Sequence, residues 1–334
     1  MVGQRTSGNV LNIARSFQPA CVLAAAVDLD VFNSLHGSPI AAPTLAAKLN
    51  IDSRATTILL DALTAMELLI KDKDIYSIPD EFTGLLTETS ANNILPMLRH
   101  TSNCLRRWAQ LSVVLKTGKP VDCGPGIRGQ EDKLISFIGA MHNSSGPIAN
   151  KIVGHLQPLK FNHLLDIGGA SGTWTIAFLQ AVPEATATLF DIPPVIPMAE
   201  KRLKEAGLCD RVTLVAGDFY NDDLPEGADF TWLGAICHQN SRGQNSELFA
   251  KVHKALKDNG TLIIRDVVMD SSHISPVVGA LFAINMLVST EAGDTYSFEE
   301  YRQDLRKANF NNVELVNQDE FMNSLIRARK IEQN

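Results

Sequence analysis

The chain has 334 residues, of which 45% are hydrophobic and 20% charged, and a formal net charge of −7. That length predicts two domains, and the acidic balance argues against nucleic acid or an anionic membrane as the main partner. The five cysteines (Cys21, Cys104, Cys123, Cys209 and Cys237) are odd in number and form no CxxC pair. This argues against a disulfide framework or a zinc ribbon and suits reduced thiols in a cytoplasmic protein.

In chain order, MVGQRTSGNVLNIARSF lacks the apolar core of a signal peptide. The longest apolar runs, such as ACVLAAAV and VVGALFAI, are about eight residues long, too short to span a bilayer. Residues 10–36 have helical spacing up to the breaker at Gly37 and Pro39. PTLAAKLN, the turn IDS and the run RATTILLDALTAMELL predict a helix-turn-helix, and LLIKDKDIYSIP a hairpin "wing" around Lys71–Asp74. Residues 1–98 are therefore expected to form a winged-helix-like domain, which suggests either DNA binding or a dimerisation or substrate-lid module. The segment holds six Lys/Arg against ten Asp/Glu, and the second helix of the motif carries only Arg54 against Asp61 and Glu67. Phosphate contacts supply most DNA affinity, so charge favours dimerisation over a DNA-binding regulator.

Residues 96–160 read as helices interrupted by GKPVDCGPGIRGQ (118–130), a loop suited to covering a site. From residue 163, the segments HLLDIG, ATATLFDI, VTLVAGDF, ADFTWLGAI and GTLIIRDVVM alternate with helical runs. That alternation predicts an α/β domain over 99–334: a helical lead-in to 160, then a doubly wound, Rossmann-like parallel sheet. Ligands of such sheets sit beyond the carboxyl ends of the strands. The first strand ends in Asp166-Ile167-Gly168-Gly169-Ala170-Ser171-Gly172, which is neither GxGxxG nor a P-loop. Asp191 ends the second strand, 25 residues after Asp166, where a carboxylate can accept both hydroxyls of a ribose. Asp218 and Phe219 end the third strand, a pair suited to an adenine amino group and ring. His238 ends the fourth.

DIGGASG, FDIP, GDF and ICH, in this order and spacing, resemble the S-adenosylmethionine-dependent O-methyltransferases of the plant phenolic and acetylserotonin type. The resemblance covers nearly the whole chain, including NMLVSTEAG (285–293) and ANFNNVELV (308–316). It implies a class I methyltransferase fold and a homodimer built through the N-terminal domain. It also implies methyl transfer from S-adenosyl-L-methionine to a hydroxyl of a small, aromatic metabolite. In the cofactor set it places Asp166, Gly168, Gly169, Asp191, Ile192, Asp218, Phe219 and Gly234. His238 takes the position of the general base, and imidazole suits deprotonation of a phenol-like hydroxyl near neutral pH.

Two acids usually flank the base in that family. Asp266 matches the first, one methylene shorter than the usual Glu; the second falls on Asp294 or Thr295, depending on the direction of alignment. Ser297 and Glu300 form a capping box instead. Met141, Asn285 and Met286 match acceptor-lining positions. Trp108 and Phe137 read as pocket walls or core, and His142 as a cleft residue beside Met141. Cys237 reads as an inert thiol on a buried strand. The remaining histidines show no metal-ligand spacing, so metal independence is expected. After His238 the family commonly has Asp-Trp, whereas this chain has Gln239-Asn240. That departure leaves N- or C-methylation, or cofactor binding without transfer, as alternatives.

Overall fold

The computed structural model describes residues 6–124 and 127–331, which fall into two compact units. Met1–Ala109 and Asp122–Asn143 form the first, Gln110–Val121 and Ser144–Asn334 the second.

The first unit begins with α1 (Ser7–Arg15), α2 (Phe17–Asp28) and α3 (Val31–Leu35), where the sequence predicts continuous helical spacing. Pro19 explains the first break: it has no N–H, and its ring would meet the carbonyl four residues back, at Arg15. Asp30 explains the second, because it adopts φ +59° between α2 and α3. Every residue of α1 is exposed, among them Val10, Leu11 and Ile13. By length and composition alone the stretch Ser7–Asp28 could cross a membrane, which the shorter apolar runs did not suggest.

The expected helix-turn-helix is present. β1 (Ile40–Ala41) leads into α4 (Ala42–Leu49), which has Pro43 in its first turn and ends at left-handed Asn50. The Asp52 side chain caps α5 (Ser53–Ala65) by accepting from Ala55 N–H at 2.7 Å. β2 (Ile70–Asp72) and β3 (Ile75–Ser77) form the wing, and β1 pairs with β3. Asp61 of α5 accepts from Lys71 Nζ at 2.6 Å and from the Tyr76 hydroxyl at 2.7 Å, so the wing is pinned to the helix.

α6 (Asp80–Leu86) and α7 (Leu95–Trp108) follow, and the unit packs around Val27, Phe32, Leu45, Leu60, Leu63 and Leu95. α7 lies where the helical lead-in of the second domain is expected, yet it is polar-stitched to α2. Ser102 Oγ and Arg106 Nη1 each donate to Asp28 at 2.8 Å. The nearly buried Arg99 bonds Glu88 at 2.7 Å. α8 (Leu111–Thr117) belongs to the second unit, and α9 (Gly129–Ser145) returns to the first as far as Asn143. Between them Gly118 to Gly124 form the expected irregular loop, and Pro125 and Gly126 lie outside the described residues.

After α8 the second unit continues with α10 (Ala149–Gly154), β4 (His163–Ile167), α11 (Thr173–Ala181), β5 (Thr186–Asp191), α12 (Ile196–Glu205) and β6 (Val212–Ala216). It continues with β7 (Ala228–Gly234), α13 (Arg242–Ala255), β8 (Leu256–Asp266) and β9 (Val268–Met269). α14 (Val277–Leu287), β10 (Tyr296–Ser297), α15 (Phe298–Lys307), β11 (Asn311–Asn317) and β12 (Ser324–Arg329) complete it. The seven-stranded sheet has the order β11-β12-β8-β7-β4-β5-β6. The five expected strands run parallel, while β12 is antiparallel to β8 and β11 to β12. Residues 318–323 are too few for a parallel crossover, which explains that reversed pair.

Successive strand residues serve opposite faces. Leu165, Leu233 and Ile264 pack on one side with Phe249 and Phe310, while Leu164, Trp232 and Ile263 pack on the other with Trp174 and Phe178. From central β4 the chain winds outward through β5 and β6, then restarts at β7 on the other side. The switch point therefore lies between β4 and β7, where an open α/β sheet leaves its crevice.

Candidate active site

Five loops leave the carboxyl ends of β4, β5, β6, β7 and β8, and every predicted cofactor or catalytic residue of the second unit lies on or beside one. After β4, Gly168 has φ +67°, and a Cβ there would stand 2.6 Å from Ile236 Cδ1. Glycine alone satisfies both the dihedral and the approach. At Gly169 and Gly234 the constraint is packing, since a Cβ would stand 2.5 Å from Leu189 Cγ or 2.4 Å from Trp232 Nε1.

Asp166 lies beneath the loop, buried, and accepts from Thr175 Oγ1 of α11 at 2.6 Å. Burial, with the Asp191 charge adding to it, pushes its carboxyl up to about 7 despite the Thr175 bond. The folded protein therefore holds this proton at pH values where the unfolded chain has released it. That contribution to stability is present at acid pH and is lost as pH rises from about 4 through about 7. Denaturation of wild type and Asp166→Asn across this range should show the variant gaining relative stability with rising pH. A difference that stays constant with pH would disprove the buried-proton assignment.

Asp191 closes β5. One carboxylate oxygen accepts from Ala170 N–H at 2.8 Å, the other from Ile192 N–H at 2.7 Å. Burial raises its pKa, and those two backbone bonds pull the other way. Each oxygen keeps a second lone pair. Ile192 beside it is 40% exposed and offers an apolar face. After β6, Asp218 accepts from Tyr220 N–H at 3.0 Å and Asn221 Nδ2 at 2.7 Å. Phe219 packs against Tyr220 with ring centroids 4.5 Å apart.

His238 lies in a short turn (Cys237–Gln239) after β7, with a side chain 12% exposed. Its Nδ1 is 2.8 Å from Asp266 Oδ1, and its backbone N–H donates to Asp266 Oδ2 at 3.2 Å. Val267 N–H also donates to Asp266, at 2.8 Å. A carboxylate only accepts, so Nδ1 carries the hydrogen and the lone pair resides on Nε2. Phe282 of α14 meets the imidazole edge to face at 4.8 Å. Beneath Asp266, Tyr301 and Cys237 are both buried, and burial, with the Asp266 charge, pushes the phenol and the thiol well up. Cys237 is thus held as an inert thiol.

Neither Asp294 nor Thr295, the two candidates for a second flanking position, bonds the ring. Asp294 turns its carboxylate to Thr295 N–H, at 2.7 Å, and contacts the His238 turn through its backbone N–H, which donates to the His238 carbonyl at 2.9 Å. Thr295 is buried with its hydroxyl 3.5 Å from the Gly279 carbonyl. Ser297 forms the expected capping box with Glu300.

Met286 is buried and Asn285 half-buried near the end of α14. Met141 and His142 are half-buried on α9, and Trp108 ends α7, all three in the first unit. There too, Phe137 packs edge to face on His100 at 5.3 Å. Sequence reasoning missed Phe282, Tyr301, Tyr220 and the role of Asn240, none of which lies in a recognisable motif. Among the described residues, no cluster of three or more His, Cys, Asp or Glu could hold a metal ion.

The donor set fits a nucleoside that carries no phosphate. Asp191 offers acceptors for hydroxyls, Ile192 and Phe219 offer apolar surface for a base, and residues 161–200 contain no Lys or Arg to meet a pyrophosphate.

Comparison with known proteins agrees. Residues 126–311 match the family model of the O-methyltransferase domain, and residues 11–83 that of the O-methyltransferase dimerisation domain. The tetracenomycin polyketide synthesis 8-O-methyl transferase TcmO of Streptomyces glaucescens is 30% identical, over 92% of this chain and 93% of its own. The N,N-dimethyltransferase OxyT of Streptomyces rimosus is 27% identical over 90% of each. The crystal structure of human N-acetylserotonin methyltransferase in complex with SAM superposes with TM-score 0.81, at 23% identity, over 99% of this chain and 100% of that one.

Proposed function

Because the chain belongs to the O-methyltransferase family, we propose that this methyltransferase carries the methyl group of S-adenosyl-L-methionine to a hydroxyl of a small aromatic metabolite, with His238 as general base. The observation that carries this reading is the His238–Asp266 pair at the carboxyl edge of the sheet, its Nδ1 engaged at 2.8 Å.

When bound, the cofactor supplies a methyl already activated on a sulfonium. The chain must hold the cofactor, align an acceptor oxygen and take its proton. Asp191 would hold the ribose hydroxyls, Asp218 and Phe219 the adenine, and Gly168 and Gly169 the methionine part. Asp266 would fix the tautomer of His238 and stabilise the imidazolium that forms as Nε2 accepts the phenolic proton. Asp294 would act through its backbone bond to the base turn. Asn285 and Met286 would line the acceptor site of the second unit. The exposed Val10, Ile13 and Phe17 of α1 and α2 support a homodimer built through the N-terminal unit.

OxyT's name records N-methylation within the same family range, so the acceptor atom is the point to test. Incubation with methyl-labelled cofactor and paired phenol and aniline isosteres should label the phenols as methyl ethers. Labelling confined to the anilines, or to ring carbon, would overturn the hydroxyl assignment.

A further inference from the structure

The residue that most clearly departs from the family pattern, Asn240, has no exposed surface, and each of its polar groups has a partner. Its Oδ1 accepts from the Tyr220 hydroxyl, and its Nδ2 donates to Asn245 Oδ1 at 3.0 Å. Its carbonyl accepts from the Tyr296 hydroxyl, and its N–H donates to the Cys237 carbonyl at 3.2 Å. Asn245, also buried, donates its Nδ2 to that same Cys237 carbonyl at 2.9 Å. The network thus grips the turn that carries His238 from three directions.

One of those directions is the loop after β6. Tyr220 stands two residues beyond Asp218, donates its N–H to that carboxylate at 3.0 Å and packs on Phe219. It is 46% exposed, so it is a loop residue tethered by its hydroxyl rather than a core residue. An indole at position 240 would offer one N–H and no acceptor, so only an amide or similar acceptor there completes this link. Buried polar networks of this kind order the segments they join when fully satisfied.

We propose that Tyr220 and Asn240 are positioning residues that couple occupancy of the cofactor site to the placement of the His238 turn. A nucleoside seated against Asp218 and Phe219 orders residues 217–222, and the Tyr220–Asn240 hydrogen bond transmits that order to residues 237–240. The assignment rests on the cofactor reading given above.

Hydrogen exchange of the full chain with and without S-adenosylhomocysteine tests it, using wild type and Tyr220→Phe, which loses one hydroxyl and keeps its ring. In wild type the ligand should slow exchange at 166–172, 217–222 and 237–245. In Tyr220→Phe it should protect the first two segments and leave 237–245 unchanged. At saturating cofactor, kcat of the variant should fall about tenfold, the worth of one ordinary hydrogen bond. Equal protection of 237–245 in both proteins, or none there in wild type, overturns the coupling. No protection at 166–172 in wild type overturns the cofactor reading instead.

Discussion

Replacing His238 with alanine is expected to lower kcat by about two to four orders of magnitude, the usual worth of a positioned general base. Affinity for S-adenosylhomocysteine should stay within about twofold, a change well under 1 kcal/mol. The reasons are geometric. The imidazole sits at the end of β7, with Nδ1 committed to a fully buried carboxylate at 2.8 Å and its plane held by Phe282. Only Nε2 is left to take a proton. No contact of the imidazole involves Gly168, Asp191 or Asp218, so its loss should spare the cofactor. Single-turnover kinetics beside calorimetry separates the two quantities. Unchanged turnover with intact affinity would remove His238 from the chemistry.

Asp191→Ala should weaken S-adenosylhomocysteine binding by about a hundredfold or more, since charge-assisted hydrogen bonds contribute about 1.5–3 kcal/mol each. Two effects add here. The ribose hydroxyls lose their acceptor, and the glycine loop loses the bond from Ala170 N–H that holds its left-handed turn, φ +48° at Ala170. Asp191→Asn keeps the shape but removes the charge, and should fall between wild type and alanine. Calorimetric titration of the three proteins checks this series. Wild-type affinity in Asp191→Ala would dismiss the ribose assignment.

The strand-end residues were legible because each rests on a local rule. Strands buried on both faces read as apolar runs, and where the run stops, at Asp166 or Asp191, the chain has reached the edge of the sheet; the fourth run continues past the end of β7 at Gly234, so that His238 lies in the turn beyond the strand rather than at its end. Gly168 was legible because a left-handed turn without room for a Cβ admits little else. The capping box at Ser297 depends on residues three positions apart. The two antiparallel strands were not legible, since their pairing follows from connection length and sheet order. Nor was the attachment of α7 to the first unit, which depends on Asp28 meeting Ser102 and Arg106 more than seventy residues away. The choice between Asp294 and Thr295 had the same character: two alignments were equally good, and neither could show which way a carboxylate turns.

The sequence by itself thus determined the class of fold and the order in chain of its parallel strands and their glycine turn. All of these follow from periodicity, glycine dihedrals and turn chemistry within a few residues. Only the tertiary structure decided that Asp266 bonds the His238 imidazole while Asp294 and Thr295 do not, and that Asn240 fastens the His238 turn to the loop bearing Tyr220. Hydrogen bonds need their partners within about 3 Å and correctly aimed. That condition is met by packing between distant segments, not by spacing along the chain.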